Sequence, residues 1–274
     1  TFGFKQIRSG AGLLDADDGM GHPACLKAMD HACTLAAESG IAIVGVENGS
    51  HCGALSYFIM HAVKKGMIGM AVTHTDKCVA PFGGSKSFFG TNPIAFGFPT
   101  RKHDPVSLDI ATSNTAFGKI LHAQEQNTPI PDDWGIDDDG KPTTDPNKVA
   151  AMTPFGAHKG YGIAFVIDVL TGVLLGAQYG PHITAMYGDY NKPRKLASTM
   201  IAIDPNTYTG LDAFMDKMDA MVDDIHSQPP APGFDAVLVP GEPEWNNERR
   251  NRENGIPVLP SLYDYLKSDT FVKT

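Results

Sequence analysis

A histidine stands in a glycine-flanked loop of the kind that carries catalytic groups. His51 lies in the string Gly49-Ser50-His51-Cys52-Gly53, between a continuous apolar run (41–46) and a helical pattern (54–65). Open α/β folds place ligands in loops that follow buried strands. Imidazole, whose ordinary pKa is ~6.5, accepts the proton of an alcohol as hydride leaves its carbon. We therefore expect His51 to be a general base, against the alternative that it caps the next helix or satisfies a core contact.

A lysine opens the longest apolar helical pattern of the chain. Lys159 lies in His158-Lys159-Gly160-Tyr161-Gly162, where the first backbone N–H groups and the helix dipole favour an anion. A cofactor phosphate or a substrate carboxylate fits such a position. A solvated lysine beside a helix-start glycine explains the same residues.

Other motifs for nucleotides and nucleophiles are weak or absent. Gly19-Met20-Gly21-His22-Pro23-Ala24 matches G-x-G-x-x-A, the dinucleotide fingerprint. The preceding residues 13–16 are a poor strand pattern and Pro23 suits a first helical turn, so a helix start is favoured over a Rossmann site. Gly83-Gly84-Ser85-Lys86 does not fit the P-loop spacing, and no G-x-S-x-G is present.

The acidic and thiol side chains do not predict a metal site. Asp137-Asp138-Asp139-Gly140 lacks the D-x-D-x-D-G spacing of a calcium loop, and we expect a solvated turn. The four cysteines form no C-x-x-C pair. A reduced, cytoplasmic protein is the simplest interpretation.

Helical patterns alternate with short apolar runs along the chain, which predicts an α/β fold. The predicted helices are 24–37, 54–65, 159–175, 211–226, one charged helix after 243, and 261–267. The predicted strands are 41–46, 67–73, 94–98, 106–110 and 198–203. In the helix 211–226, the residues expected on the apolar side are Phe214, Met218, Met221 and Ile225.

Charge and length exclude two partner classes. The 274 residues carry 22 basic and 31 acidic side chains, a net charge of −9, so nucleic acid is not an expected partner. The longest apolar stretch, residues 163–175, is interrupted by Asp168 and is shorter than the ~20 residues that span a bilayer. Because the chain starts Thr1-Phe2-Gly3, we expect it to be the edge of a longer one.

Several motifs occur together in an order that resembles one known family, the malate/L-lactate dehydrogenases of the second type, which are unrelated to the Rossmann lactate and malate dehydrogenases. They span nearly the whole chain. The matching motifs are Gly49–Gly53, Pro81–Gly84, Gly90–Pro93, Asp109–Thr112, Lys159–Gly162 and Pro230–Phe234.

This resemblance implies a non-Rossmann NAD(P)-binding α/β fold with a mixed sheet and flanking helices, and it sets the dinucleotide interpretation of Gly19–Ala24 aside. It implies that His51 is the proton acceptor. The implied cofactor contacts are Thr75, Asp109, Ile110, Ala111, Lys159, Gly241, Glu242 and Pro243. It further implies a homodimer, a catalytic domain over residues 1–228, and a C-terminal segment, 229–274, that packs with an N-terminal helical region not found before Thr1.

Residues 167–176 and the pair Met186-Tyr187 most resemble the branch of that family that oxidises (S)-ureidoglycolate to oxalurate in allantoin breakdown, with NAD as hydride acceptor. The alternatives within the family are oxidation of malate, L-lactate or another 2-hydroxy acid, and reduction of a keto acid or cyclic imine. NADP stays open beside NAD, since the sequence does not show whether Lys77 or Lys86 reaches a 2′-phosphate. A non-catalytic binding homologue is the alternative from another class.

Overall fold

A computed structural model describes residues 2–186, 191–258 and 260–268 and has a mixed sheet with flanking helices, as predicted. The strands are β1 Gly3–Arg8, β2 Ala11–Asp15, β3 Ile41–Gly49, β4 Ile68–Thr73, β5 Ile94–Phe98, β6 Val106–Ile110, β7 Gly135–Ile136, β8 Ala151–Met152 and β9 Leu196–Ile203. The α-helices are α1 Gly21–Ser39, α2 Ser56–Val63, α3 Phe117–Gln126, α4 His158–Asp168, α5 Leu211–His226, α6 Glu242–Asn254 and α7 Pro260–Lys267.

Seven strands form the main sheet in the order β1-β2-β3-β9-β4-β5-β6. The pair β2–β3 is parallel and every other neighbouring pair is antiparallel. Consequently one end of the sheet holds the carboxyl ends of β2, β3, β4 and β6 together with the amino ends of β5 and β9. We call it the His51 end, because the loop with His51 follows β3 there.

The core is packed between this sheet and helices α1 and α2. Leu14, Met29, Val44, Phe58 and Met200 are fully buried in one cluster. Burial of such side chains stabilises a fold by ~1.5–3 kcal/mol each. The beginnings of α1 and α2 are thereby fixed against the His51 end.

The helix predicted over 159–175 is interrupted. α4 ends at Asp168 and a π-helix, Val169–Val173, follows. The buried carboxylate of Asp168 accepts a hydrogen bond from the Gly180 amide at 2.9 Å. Gly172 lies so near the returning chain that a Cβ there would be 2.7 Å from the carbonyl oxygen of Gln178. These tertiary contacts, which no periodicity encodes, reshape the last turns.

Two further predictions were wrong in detail. The pattern of residues 13–16 predicts a strand only poorly, yet residues 13–15 belong to β2, which pairs with both β1 and β3. On α5, Met221 is 51% exposed, whereas Val222 is buried with the partly buried Met218 and Ile225. Within the part of the chain that the structure describes, no helix is long and apolar enough to cross a membrane.

Candidate active site

His51 and His22 are brought together by the close approach of α1 to the loop after β3. A Cβ at Gly21 would lie 2.1 Å from the carbonyl oxygen of Ser50, so only glycine allows this approach. The rings of His22 and His51 then meet edge to face, with centroids 6.2 Å apart and planes at 82°. The glycine of the G-x-G-x-x-A string thus serves packing against the His51 loop.

The surroundings of His51 favour its neutral form. Partial burial of the imidazole lowers its pKa below the usual value, and electrostatic interaction with His22 and Arg194 lowers that pKa further, while Asp76 opposes them. A histidine that is neutral at physiological pH is able to accept a proton. The ring remains exposed to solvent, so a small molecule has access to it.

An ion pair between Asp76 and Arg194 lies at the same end of the sheet. Asp76 follows β4 and Arg194 precedes β9, and their side chains are 2.6 Å apart and only 25% and 13% exposed. Arg194 Nε also donates to the carbonyl oxygen of Thr184 at 3.2 Å, and the Met186 amide donates to Asp76 Oδ2 at 3.1 Å. Tyr187, singled out with Met186, lies outside the described residues.

A hydrogen-bond network surrounds Thr75, the first predicted cofactor contact. The Thr75 amide donates to Asn92 Oδ1 at 3.2 Å, and the Thr91 amide donates to Thr75 Oγ1 at 3.1 Å. Buried Asn92, whose φ is +28°, also donates from Nδ2 to the carbonyl oxygen of Ala164 in α4 at 3.1 Å. Asn92 therefore connects the segment after β4 with the helix that carries exposed Lys159 in its first turn.

A cavity of about 970 Å³ lies between α2, β6 and the segment that leads into α6. Among the predicted cofactor contacts, Asp109, Ile110, Gly241 and Pro243 line it, and Ala111 and Glu242 are their chain neighbours. The carboxylate of Asp109 accepts the first amide of α2, that of Ser56, at 2.7 Å. The structure thus divides the predicted contacts into two groups, one in this cavity and one around Thr75, joined by the chain from Asp109 to Thr112.

The backbone conformation of the cavity wall at position 241 requires a glycine. Its φ is +97°, and a Cβ would lie 2.9 to 3.0 Å from Ser107 atoms of β6. The Ser107 amide donates to the carbonyl oxygen of Pro240 at 3.0 Å, which holds the wall against the sheet. A cavity of this size, with mixed polar and apolar walls and backbone groups at its surface, fits a nicotinamide dinucleotide.

Four site residues were missed by the sequence interpretation: His22, Asp76, Asn92 and Arg194. A usable signal existed for three of them, because His22 follows β2, Asp76 follows β4 and Arg194 precedes β9. Correct strand order would have brought them to one end of the sheet. Asn92 lies in the matching motif Gly90–Pro93, and the proline that follows it restricts its backbone, but neither signal indicated its hydrogen bonds to Thr75 and Ala164.

The acidic turn at 137–140 is held by its own side chain. Asp137 Oδ1 accepts the amides of Asp139 and Lys141 at 3.0 and 2.9 Å, and Lys141 pairs with Asp139. Among residues 2–186, 191–258 and 260–268, no group of three or more His, Cys, Asp or Glu side chains is arranged to hold a metal ion.

Comparisons with known proteins show the family and the fold. The family model described as malate/L-lactate dehydrogenase matches residues 2–267. Ureidoglycolate dehydrogenase (NAD(+)) of Escherichia coli is 38% identical over 262 residues, which are 96% of this chain and 75% of that protein. L-sulfolactate dehydrogenase of Methanocaldococcus jannaschii is 38% identical over 257 residues, 93% of this chain and 73% of that protein. The solved structure of sulfolactate dehydrogenase from the same organism superposes with a TM-score of 0.89 at 36% identity and covers 97% of this chain and 76% of that one.

Proposed function

We propose that this chain, which belongs to the malate/L-lactate dehydrogenase family, oxidises (S)-ureidoglycolate to oxalurate with NAD as the acceptor. Family membership makes it a nicotinamide-dependent dehydrogenase of a 2-hydroxy acid. The proposal concerns which acid it takes, which cofactor it prefers and which residues act. The observation that supports the residue roles is the grouping of His51 with the Asp76–Arg194 ion pair at one end of the sheet, and the 38% identity to ureidoglycolate dehydrogenase (NAD(+)) supports the substrate and the cofactor.

His51 accepts the hydroxyl proton. Its lowered pKa keeps the imidazole unprotonated and ready to receive it. As the O–H bond breaks towards His51, the C–O bond gains double-bond character and C2 loses its hydrogen with both electrons. A nicotinamide cofactor, when bound, would supply the acceptor for that hydride.

Arg194 holds the substrate carboxylate. Its guanidinium is oriented by Asp76 and by the carbonyl of Thr184, which leaves it little freedom to reorient. A planar guanidinium binds a carboxylate through paired hydrogen bonds. The hydroxyl of a 2-hydroxy acid is on C2, the carbon bonded to the carboxylate. When the carboxylate binds Arg194, this hydroxyl is directed towards His51.

The cavity beside α2 holds the cofactor. Asp109, Ile110, Gly241 and Pro243 form its walls, and Ala111, Glu242, Thr75 and Lys159 act in the adjoining segments. A helix start with a nearby cation suits a phosphate group, and Lys159 provides this at α4.

NAD is proposed in preference to NADP. Carboxylates of Asp109, Glu244 and Glu248 line the cavity and outnumber the lysine that also lines it, Lys64, so an added 2′-phosphate of nearly two negative charges meets a wall of net negative charge. Lys77 and Lys86 are not among the described residues that line it. The relative from Escherichia coli carries NAD(+) in its name.

The second candidate function is oxidation of a 2-hydroxy acid with a second anionic group, such as sulfolactate or malate. It is favoured by one specific observation, since the sulfolactate dehydrogenase matches this chain at the same 38% identity. The two candidates differ in the group at the far end of the substrate, which is a neutral ureido group in one and an anion in the other.

Steady-state kinetics with a panel of 2-hydroxy acids decides between them. We expect kcat/KM for (S)-ureidoglycolate with NAD to exceed the values for sulfolactate, malate and L-lactate at least tenfold, about 1.4 kcal/mol of transition-state discrimination. An anionic substrate that leads by the same margin overturns the substrate assignment. A preference for NADP overturns the cofactor assignment.

We also propose a homodimer, the state implied by the family resemblance. Four apolar side chains on α4 and the turns after it are each more than half exposed: Phe165, Val166, Val173 and Leu174. Subunit interfaces bury apolar side chains of this kind. Light scattering after size-exclusion chromatography measures the mass directly. A mass of twice the chain is expected, and a monomer at micromolar concentration contradicts the proposal.

A further inference from the structure

A histidine at the end of α5 reaches the segment that forms the cavity wall. His226 Nε2 lies 2.7 Å from Glu242 Oε1, and the two side chains are 33% and 19% exposed. Glu242 stands between Gly241 and Pro243, which line the cavity, whereas neither Glu242 nor His226 is among the lining residues. The pair therefore joins α5 to the segment that forms the wall.

The same carboxylate closes the turn that precedes it. The second oxygen of Glu242, Oε2, accepts the amide of buried Val239 at 2.8 Å, and the Glu242 amide donates to the Val239 carbonyl at 3.2 Å. The turn between them contains Pro240, which Ser107 holds from the sheet. The position of the wall therefore depends on Glu242, and the position of Glu242 depends on His226.

His226 is itself fixed from its other side. Its ring lies edge to face with that of His103, with centroids 5.8 Å apart. His103 in turn pairs with Asp223, one turn earlier on α5, at 2.8 Å. An imidazole supported in this way presents Nε2 to Glu242 in one orientation, and hydrogen bonds to a charged partner are the strong ones.

We propose that His226 is a positioning residue for the nicotinamide cofactor, which acts through Glu242 on the wall formed by Val239, Pro240 and Gly241. The inference rests on the proposed function, because it takes this cavity as the cofactor site. It assigns His226 no contact with substrate or cofactor. Its effect is expected in cofactor affinity and not in the chemical step.

The variants His226→Leu and His226→Gln test this in the full chain. Leucine removes the partner of Glu242, whereas the glutamine amide is still able to donate to that carboxylate. For His226→Leu we expect the Kd for NADH, followed by its fluorescence, and the KM for NAD to rise roughly three- to tenfold with kcat within twofold of wild type. His226→Gln should restore most of the affinity.

Arg101→Leu is the matched control, since it removes other ion pairs made to α5, those with Asp212 and Asp216, and leaves Glu242 bonded to His226. Its Kd for NADH should stay within twofold of wild type. Unchanged NADH affinity in a folded His226→Leu protein, or an equal loss in Arg101→Leu, overturns the inference and leaves the proposed function intact. If His226→Leu does not fold, a Kd for His226→Gln equal to that of His226→Ala decides against it. A wild-type chain that binds no NADH overturns the proposed function and this inference together.

Discussion

The ring of His22 lies edge to face with the ring of His51, 6.2 Å away between centroids. Burial of His51 and then its electrostatic interaction with His22 lower the pKa of the base. Because only neutral His51 accepts a proton, the rate of hydroxy acid oxidation falls as the pH falls through that lowered pKa. The acid limb of kcat/KM therefore lies below the ordinary titration range of histidine.

Replacing His22 with asparagine removes one cause of the lowered pKa. The pKa of His51 then rises, and the acid limb of kcat/KM moves to higher pH while the rate on the plateau is retained. The measurement is a pH series of kcat/KM for the preferred hydroxy acid. His122→Asn, at an exposed histidine of α3, is the control and leaves the limb in place. If the acid limb of kcat/KM for His22→Asn coincides with that of the wild type, His22 does not influence the pKa of His51.

Arg194→Met tests the carboxylate anchor. Loss of the guanidinium should raise the KM for the hydroxy acid by roughly 10- to 100-fold, as expected for a charge-assisted pair, with the Kd for NADH unchanged. Arg194→Lys keeps the charge but not the planar fork and should recover only part of the loss. The neighbouring Lys195→Met removes an exposed cation paired with Asp18 and serves as control. Equal KM values in Arg194→Met and Lys195→Met would show that Arg194 does not bind substrate.

Gly241→Ala should displace the cavity wall. Both Gly241 and Gly233 have positive φ, +97° and +92°, so alanine is strained at either position. Only at Gly241 does the added Cβ meet other atoms, those of Ser107, whereas nothing lies within 4 Å at Gly233. NADH titration should give a Kd at least about tenfold higher for Gly241→Ala than for Gly233→Ala. Equal values mean that the cavity is not the cofactor site.

The buried side chains of His74 and Asp168, which lie next to each other, should stabilise the fold. His74 Nε2 accepts the Ala197 amide at 2.8 Å, so a neutral ring carries its proton on Nδ1, which faces Asp168 Oδ1 at 3.6 Å. Asp168→Ala leaves both the ring and the Gly180 amide without this carboxylate. We expect a loss of about 2–4 kcal/mol and a Tm lowered by roughly 5–15 °C in thermal unfolding. Asp168→Asn, which can still accept from Gly180, should lose less, and an unchanged Tm in both variants is the contrary outcome.

The sequence predicted the elements whose pattern is local. β5, β6 and α5 have the predicted bounds, because their apolar residues follow one period from end to end. α3 was missed since only Ile120 and Ala123 are buried on it, and the π-helix after Asp168 depends on contacts with Gly180 and Gln178. The division at residue 228 and the cytoplasmic location stay predictions.

The candidate site shows the same limit. His51 could be singled out because it follows a recognisable strand in a glycine-flanked loop. Arg194 and Asp76 are 118 residues apart in the chain, and only the insertion of β9 between β3 and β4 brings them beside His51. Pairing across that distance is decided by the topology of the sheet and leaves no trace in local periodicity.

Transfer of the hydroxyl proton to His51 is tested by measuring kcat of the His51→Asn variant together with its NADH affinity. Asparagine keeps a polar side chain in the loop but cannot accept the proton at neutral pH. We expect kcat for hydroxy acid oxidation to fall by roughly 10²- to 10⁴-fold, the contribution of a general base, while the Kd for NADH stays within twofold of wild type. A variant that retains more than about a tenth of the wild-type kcat would show that His51 is not the general base.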